Sequence, residues 1–323
     1  MEASIIIPCY NCEKTIKTIL TAISKQTLKP KEIIVIDDGS TDRTKEIIFE
    51  VLKKEKLNIR YFWQKNSGPA KARNEGAKRA TAEIITFADS DCIPEINWLF
   101  EMIKPFEKKD VSGIQGAYKS RQKELIARFG QIEIEERYEK MKHSKNIDWI
   151  GSYSAAFRRK EFLSLGGYDE SFPIASGEDP EFSFRLAKRG GKLIFNPNAI
   201  VYHTHPSKLV KYLKTKFFRA YYRPKMYSKH KEKILTDSYT PQLLKIQIPL
   251  SGIIIAALIT APIVGFTTLI ATTIIFGITT LPFVYFASKK DFTVAIASPI
   301  LVLFRSLVFG AGLISGILTR GKK

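Results

Sequence analysis

Asp89-Ser90-Asp91 directly follows the apolar run Ile84–Ala88. Two carboxylates one residue apart, on a loop leaving a strand, can share a hard divalent cation and the diphosphate it bridges. Asp37-Asp38-Gly39-Ser40 leaves a second apolar run, Glu32–Ile36, where an Asx turn with a helix cap is the simpler alternative. Ser67–Asn74 joins a Gly-containing turn, a helix start and two cations, Lys71 and Arg73, a combination that suits a phosphate. In Gly177-Glu178-Asp179-Pro180, Asp179 reads as an N-cap and Pro180 as the first helical residue. A helix N-terminus also keeps a carboxylate ionised and ready to accept a proton. Cys9 and Cys12 form a C-x-x-C without a second ligand pair, so no zinc site is expected there.

These clusters sit between alternating strand and helix signals. Ser4–Ile7 reads as a buried strand ended by Pro8, and Asn11 as the cap of a helix to about Lys25. Ile16, Ile19, Leu20 and Ile23 share one face of that helix. Glu32–Ile36, Asn58–Phe62 and Ile84–Ala88 read as further strands. Helices are expected from Ser40 or Thr41 to about Lys53, and from about Ala70 to Ala80. This β-α-β-α-β-α-β order implies a parallel sheet with helices on both faces. Ligands bind such sheets at the carboxyl ends of the strands, where every polar cluster named so far is found. Further on, Glu124–Lys142 and Phe182–Lys188 read as helices and Lys192–Phe195 as a strand.

Charge is spread unevenly over the 323 residues, whose formal net charge is +19. Lys and Arg crowd the chain up to about Leu243 and nearly vanish beyond it, which suggests two solvents. Residues 207–233 mix Lys and Arg with Tyr212, Phe217, Phe218, Tyr221 and Tyr222, the pattern of an interfacial helix with one aromatic and one basic side. The apolar run that follows favours anionic lipid over nucleic acid as its partner. Leu243–Ala287 has the length of two membrane spans with a tip at Pro262 and Gly265, and Phe292–Leu318 is a third apolar stretch containing Arg305. A full third crossing would leave Arg320, Lys322 and Lys323 on the outer side, against the positive-inside rule. The first residues lack a basic n-region, so no secretory signal is expected. Three cysteines fit a reducing compartment for the polar part.

Taken in order, the motifs SIIIPCYN (4–11), IVIDDGSTD (34–42), GPAKARNEG (68–76), FADSDCIP (87–94), AFRR with GGYDE (156–170) and GEDPEFSFRLAKRG (177–190) resemble those of the family 2 inverting glycosyltransferases. The resemblance covers about residues 3–205 and implies an α/β GT-A fold, a Rossmann-like nucleotide-sugar-binding domain. It implies that Pro8, Tyr10 and Asn11 lie in the first nucleotide loop and that Asp38 contacts the base. Lys71 and Arg73 would hold base or pyrophosphate, and Asp89 and Asp91 ribose and metal, Mg2+ or Mn2+. Asp179 matches the family's catalytic base. His203 or His205 falls where some members supply a further metal ligand, with His205 the assignment made here. Cys9 becomes a loop residue beside the nucleotide rather than a redox centre.

The expected organisation is a GT-A domain over residues 1–206, an interfacial linker over 207–242 and an α-helical transmembrane domain of two to three helices over 243–323. The expected activity is metal-dependent transfer of one sugar from a UDP- or GDP-linked donor to a lipid or lipid-linked acceptor, with the catalytic part cytoplasmic. Processive synthases of the family carry Q-x-x-R-W, whereas Lys216-Phe217-Phe218-Arg219-Ala220-Tyr221-Tyr222 lacks its Gln and Trp. A polyprenyl-phosphate sugar synthase and a non-catalytic nucleotide-binding scaffold are the competing readings.

Overall fold

The computed structural model describes residues 1–55, 57–234 and 236–319, so Arg320, Lys322 and Lys323 lie outside the described residues. The strands are β1 (Ala3–Cys9), β2 (Glu32–Asp37), β3 (Ile59–Trp63), β4 (Ile84–Ala88), β5 (Ile93–Pro94), β6 (Val111–Lys119), β7 (Ser154–Arg158) and β8 (Lys192–Tyr202). The helices of the first half are α1 (Ile16–Ser24), α2 (Thr44–Lys54), α3 (Pro69–Arg79), α4 (Trp98–Ile103), α5 (Leu125–Lys142), α6 (Arg159–Ser164) and α7 (Glu178–Lys188). Then come α8 (Leu209–Tyr221), α9 (Arg223–Lys229), α10 (Gln242–Val264), α11 (Thr267–Ser288) and α12 (Phe292–Leu318).

Two compact units divide the described chain: Met1–Arg121 with Lys140–Thr204, and Gln122–Glu139 with the residues from His205 onward. In the first unit one sheet runs β3-β2-β1-β4-β7-β6-β8-β5. Its β3-β2-β1-β4 half is parallel, as the alternating pattern requires. The other half is mixed, because β7 runs antiparallel to both β4 and β6 and β5 antiparallel to β8. The parallel expectation, drawn from the first four strands, holds for them.

Helices cover both faces of the parallel half. Ile5, Ile7, Ile33 and Val35 join Ile16, Ile19, Leu20 and Ile23 of α1 in one buried cluster. Ile6 points to the opposite face, where Gly76 lets α3 approach so closely that a Cβ would lie 2.3 Å from Ile6 Cγ2. β1 runs through Pro8 instead of stopping before it. Its pairing with β4 ends at Ile6, while Pro8 still aligns with Ile36 of β2, so the missing N–H falls where β4 needs none.

Asn11 does not cap α1, whose N-cap is Thr15. Instead Asn11 takes φ +49, a left-handed conformation that Asn tolerates, and its Oδ1 accepts from Thr41 N at 2.8 Å. The side chain thus ties the β1 loop to the β2 loop.

In the second unit α10, α11 and α12, of 23, 22 and 27 residues, are each long and apolar enough to cross a membrane. The turn between α10 and α11 contains Gly265 at φ +85, and α12 is one continuous helix. Arg305 is buried on α12, its guanidinium 2.6 Å from Glu133 Oε1 of α5 and 2.9 Å from Gln247 Oε1 of α10. Glu133 also accepts from Lys216 Nζ and Tyr212 Oη, each at 2.8 Å. Burial alone would raise the Glu133 carboxyl, but Lys216, Arg305 and Arg137 bring it below the usual carboxylate range. The basic segment is accordingly split and not cleanly two-sided. It forms α8 and α9, and Lys216 lies on the buried side beside Tyr212 rather than with the exposed cations.

Gly312 and Gly316 let α12 meet the backbone of α8: added Cβ atoms would lie 2.5 Å from Phe217 O and 2.1 Å from Tyr221 O. Gly316→Val should force these helices apart and cost about 1–3 kcal/mol, as overpacking does. The check is a thermal melt of the full chain in detergent; an unchanged midpoint would show that the close approach contributes nothing.

Candidate active site

A cavity of about 440 Å³ opens at the carboxyl ends of β1, β2 and β4. Pro8, Tyr10, Asp38, Arg73, Asp89 and Asp91 line it, together with Cys9, Asn66, Gly68, Ser90 and the segment Pro173-Ile174-Ala175. The sheet thus gathers six of the residues singled out from sequence. Asn11, Lys71 and Asp179 are not among the lining residues.

Asp38 is buried, and three protein donors hold its carboxylate. Oδ1 accepts from Gln64 Nε2 at 2.6 Å and Ser67 N at 2.9 Å, while Oδ2 accepts from Gly68 N at 2.9 Å. The carboxylate therefore folds the 64–68 loop against the end of β2. Gly68 has φ +92, and Pro69 starts α3 directly after it. Asp37 is fixed too, accepting from Ser40 N at 2.8 Å and Tyr61 Oη at 2.7 Å.

Arg73 is only 2 % exposed although it reaches the cavity. It donates to Asp89 Oδ1 at 2.6 Å and to Glu178 Oε1 at 3.2 Å. Burial alone would lower its pKa, but Asp89 and Glu178 outweigh that and raise it. Glu178 is itself buried, and its Oε2 accepts from Ser176 N at 2.9 Å and Gly177 N at 3.1 Å.

Asp89, Asp91 and Cys92 can bring one ligand atom each within 4.8 Å of one another. Cys92 is fully buried, and desolvation with the charges of Asp89 and Asp91 pushes its thiol well above the usual range. Asp89 and Asp91 supply the two carboxylates of this group. His203 adjoins Asp91, its Nε2 3.4 Å from Oδ2. Desolvation alone would raise the Asp91 carboxyl, but the His203 hydrogen bond and charge bring it below the usual range. His203 stacks obliquely on Tyr118, which lies flat on Tyr153 at 3.5 Å. His205 belongs to the second unit, where it is buried with Nε2 2.8 Å from Gln131 Oε1. The two carboxylates fit a hard divalent cation such as Mg2+ or Mn2+.

α7 begins at Glu178 with Gly177 as N-cap, so Asp179 is the second helical residue and Pro180 the third. The expected cap at Asp179 is displaced because Glu178 folds back on Ser176 N and Gly177 N and Gly177 adopts φ +151. Asp179 Oδ2 instead accepts from Ser152 N at 3.3 Å. An aromatic cluster packs behind both the Asp89 and the Asp179 segments. Phe87, two residues before Asp89, and Phe182, three after Asp179, both pack on Phe157, Phe162 and Tyr168. The buried Tyr168 hydroxyl is raised well above its usual range by desolvation; Arg73 opposes this, and Asp179, Glu178 and Asp89 reinforce it. These charged groups therefore share one neighbourhood.

Glu178 and the 173–175 wall were the parts sequence reasoning did not place in the site, while His203 stood there only as the alternative to His205. Glu178 was visible as half of an E-D pair, whereas nothing in the sequence signals the wall.

A parallel α/β half-sheet with paired aspartates and a cavity at its carboxyl edge defines a Rossmann-like, GT-A-like class of protein. The chain belongs to Glycosyl transferase family 2, whose sequence profile matches residues 4–165. It is 28% identical over 241 residues to a chondroitin synthase from Escherichia coli, covering 63% of this chain and 34% of that protein. It is 25% identical over 226 residues to a pre-mycofactocin glycosyltransferase from Mycobacterium tuberculosis, covering 67% and 46%. The chain thus spans less than half the length of these two relatives. Its fold matches that of a mannosyltransferase from Pyrobaculum calidifontis, solved with GDP-Man and Mn2+, with a TM-score of 0.62 at 18% identity over 98% of this chain and 86% of that one.

Asp38→Asn replaces one acceptor by a donor that faces protein N–H groups. It should cost about 1–3 kcal/mol and loosen the 64–68 loop. Hydrogen exchange at Ser67 and Gly68 checks this, and wild-type protection in the variant would remove Asp38 as the loop's strap.

Proposed function

We propose that the chain is an inverting glycosyltransferase that moves one sugar from a UDP- or GDP-linked donor to a lipid-linked or membrane-associated acceptor. The observation that carries this reading is the pairing of Asp89 and Asp91 at the edge of the cavity, with His203 against Asp91. Asp89, Asp91 and His203 would hold the divalent metal, with His203 taking the place first given to His205. A metal bound there neutralises charge developing on the leaving diphosphate. Family membership and the mannosyltransferase solved with GDP-Man and Mn2+ support this assignment.

Around that centre the chain's own groups orient the reactants. Pro8, Tyr10 and Asp38 line the part of the cavity that would receive the nucleoside. Arg73 supplies positive charge toward the diphosphate. Asp179 takes the proton of the acceptor hydroxyl as its oxygen bonds to the anomeric carbon. The bond from that carbon to the diphosphate oxygen breaks on the opposite face, and one displacement inverts the centre. The three apolar helices would cross the bilayer, with the basic, aromatic α8 and α9 along the anionic cytoplasmic leaflet and the first unit cytoplasmic. A full third crossing is compatible with Arg305, because its charge is paired with Glu133.

Two substitutions test the assignment. Asp91→Ala should lower transfer at least about 100-fold, since charge stabilisation of this kind is worth several kcal/mol. It should also weaken Mn2+ binding by the purified chain; near-wild-type turnover without added metal would sink the metal assignment. Asp179→Asn keeps an oxygen for Ser152 N and should fold normally and bind donor. Its turnover to a hydroxyl acceptor should drop by about 10²–10⁴. A rate within about threefold of wild type would instead favour a phosphate acceptor, which needs no dedicated base.

A further inference from the structure

Arg73 is held between two segments that the proposed reaction uses separately. One guanidinium nitrogen bonds Asp89 of the metal loop, and another bonds Glu178 at the start of α7. Its Nε has no partner among the described residues. Glu178 does not line the cavity, yet its second oxygen closes the turn at Ser176 and Gly177. That turn joins the cavity wall Pro173-Ile174-Ala175 to the helix carrying Asp179.

We infer that Arg73 and Glu178 form a clasp coupling occupancy of the metal site to the placement of α7. This rests on the metal and base assignments proposed above. Asp89 is shared: Arg73 bonds its Oδ1 alone, so a cation on the same carboxylate would compete with the guanidinium for its charge. Glu178 eases that competition by offering the guanidinium a second carboxylate. Once Asp89 turns to the metal, Arg73 bears more fully on Glu178 and fixes the turn ahead of Asp179. Both are positioning residues, since Glu178 acts on the reaction only through Arg73 and the turn.

The experiment is a double-mutant cycle of Glu178→Gln and Arg73→Lys on the full chain in detergent, each variant first shown by thermal melting to be folded. Mn2+ affinity is measured by electron paramagnetic resonance without donor, and kcat and donor KM in a transfer assay. Glu178→Gln removes the competitor for Arg73, so Arg73 stays on Asp89 and Mn2+ should bind at least about threefold more weakly. In the Arg73→Lys background the same change should alter Mn2+ affinity by less than about 1.5-fold, because the shorter lysine lacks the two separate nitrogens, one for each carboxylate, of the guanidinium fork. Loss of a distant negative charge alone would weaken Mn2+ equally in both backgrounds. Glu178→Gln should also lower kcat at least about tenfold while leaving donor KM within about threefold. Equal, additive effects on Mn2+ affinity overturn the clasp, as does an unchanged Mn2+ affinity in Glu178→Gln. Should the glutamine variant fail to fold, Glu178→Asp takes its place: the shorter carboxylate should weaken Mn2+ in the wild-type background only. A wild-type chain that binds Mn2+ but transfers no sugar sinks the proposed function, while the Mn2+ cycle still decides the clasp.

Discussion

Carboxylates of like sign converge in the candidate site around one buried cation, and the local structure depends on that balance. Arg73 sits between Asp89 and Glu178, with Asp91 two residues along the loop. Without the guanidinium, a fully buried glutamate and a cavity-lining aspartate would lose their opposite charge, at a cost far greater than that of a surface pair. Placing Arg73 requires α3 to lie tightly on β1, which Gly76 permits by leaving room for Ile6. It also requires the loop before α3 to close, which the Asp38 carboxylate ensures.

The aromatic cluster supplies rigidity where the charges alone would not. Phe87 and Phe182 lie close in sequence to Asp89 and Asp179, and their rings meet the same three neighbours. The two reactive segments are therefore tied to one apolar body. A shift of either would have to disturb close-packed rings, and cores of this density resist such motion.

The second unit repeats the logic in a different solvent. Arg305 on an otherwise apolar helix is paired with Glu133, which also receives Lys216 and Tyr212. A lone charge there would be costly, and the network explains how a membrane-length helix carries one. Gly312 and Gly316 bring α12 against α8, so the helix bearing Arg305 and the helix bearing Lys216 pack backbone to backbone.

Periodic and local features were legible in the residues alone. Alternating apolar runs marked β1 to β4, uninterrupted apolar length marked α10 to α12, and the aspartates at strand ends announced the cavity before any coordinates. These follow from one-dimensional pattern, because strand period, span length and strand-end position need only neighbours in the chain. Helix starts were less legible, because Asn11 and Asp179 have the chemistry of caps but are used for tertiary contacts. Which histidine meets Asp91 and which carboxylate meets Arg305 depends on the folding of distant segments onto one another. Arg73 and Glu178 lie 105 residues apart, and Glu133 and Arg305 172. A pairing over such distances depends on how elements cross, and a single sequence carries no record of which side chains those crossings bring together.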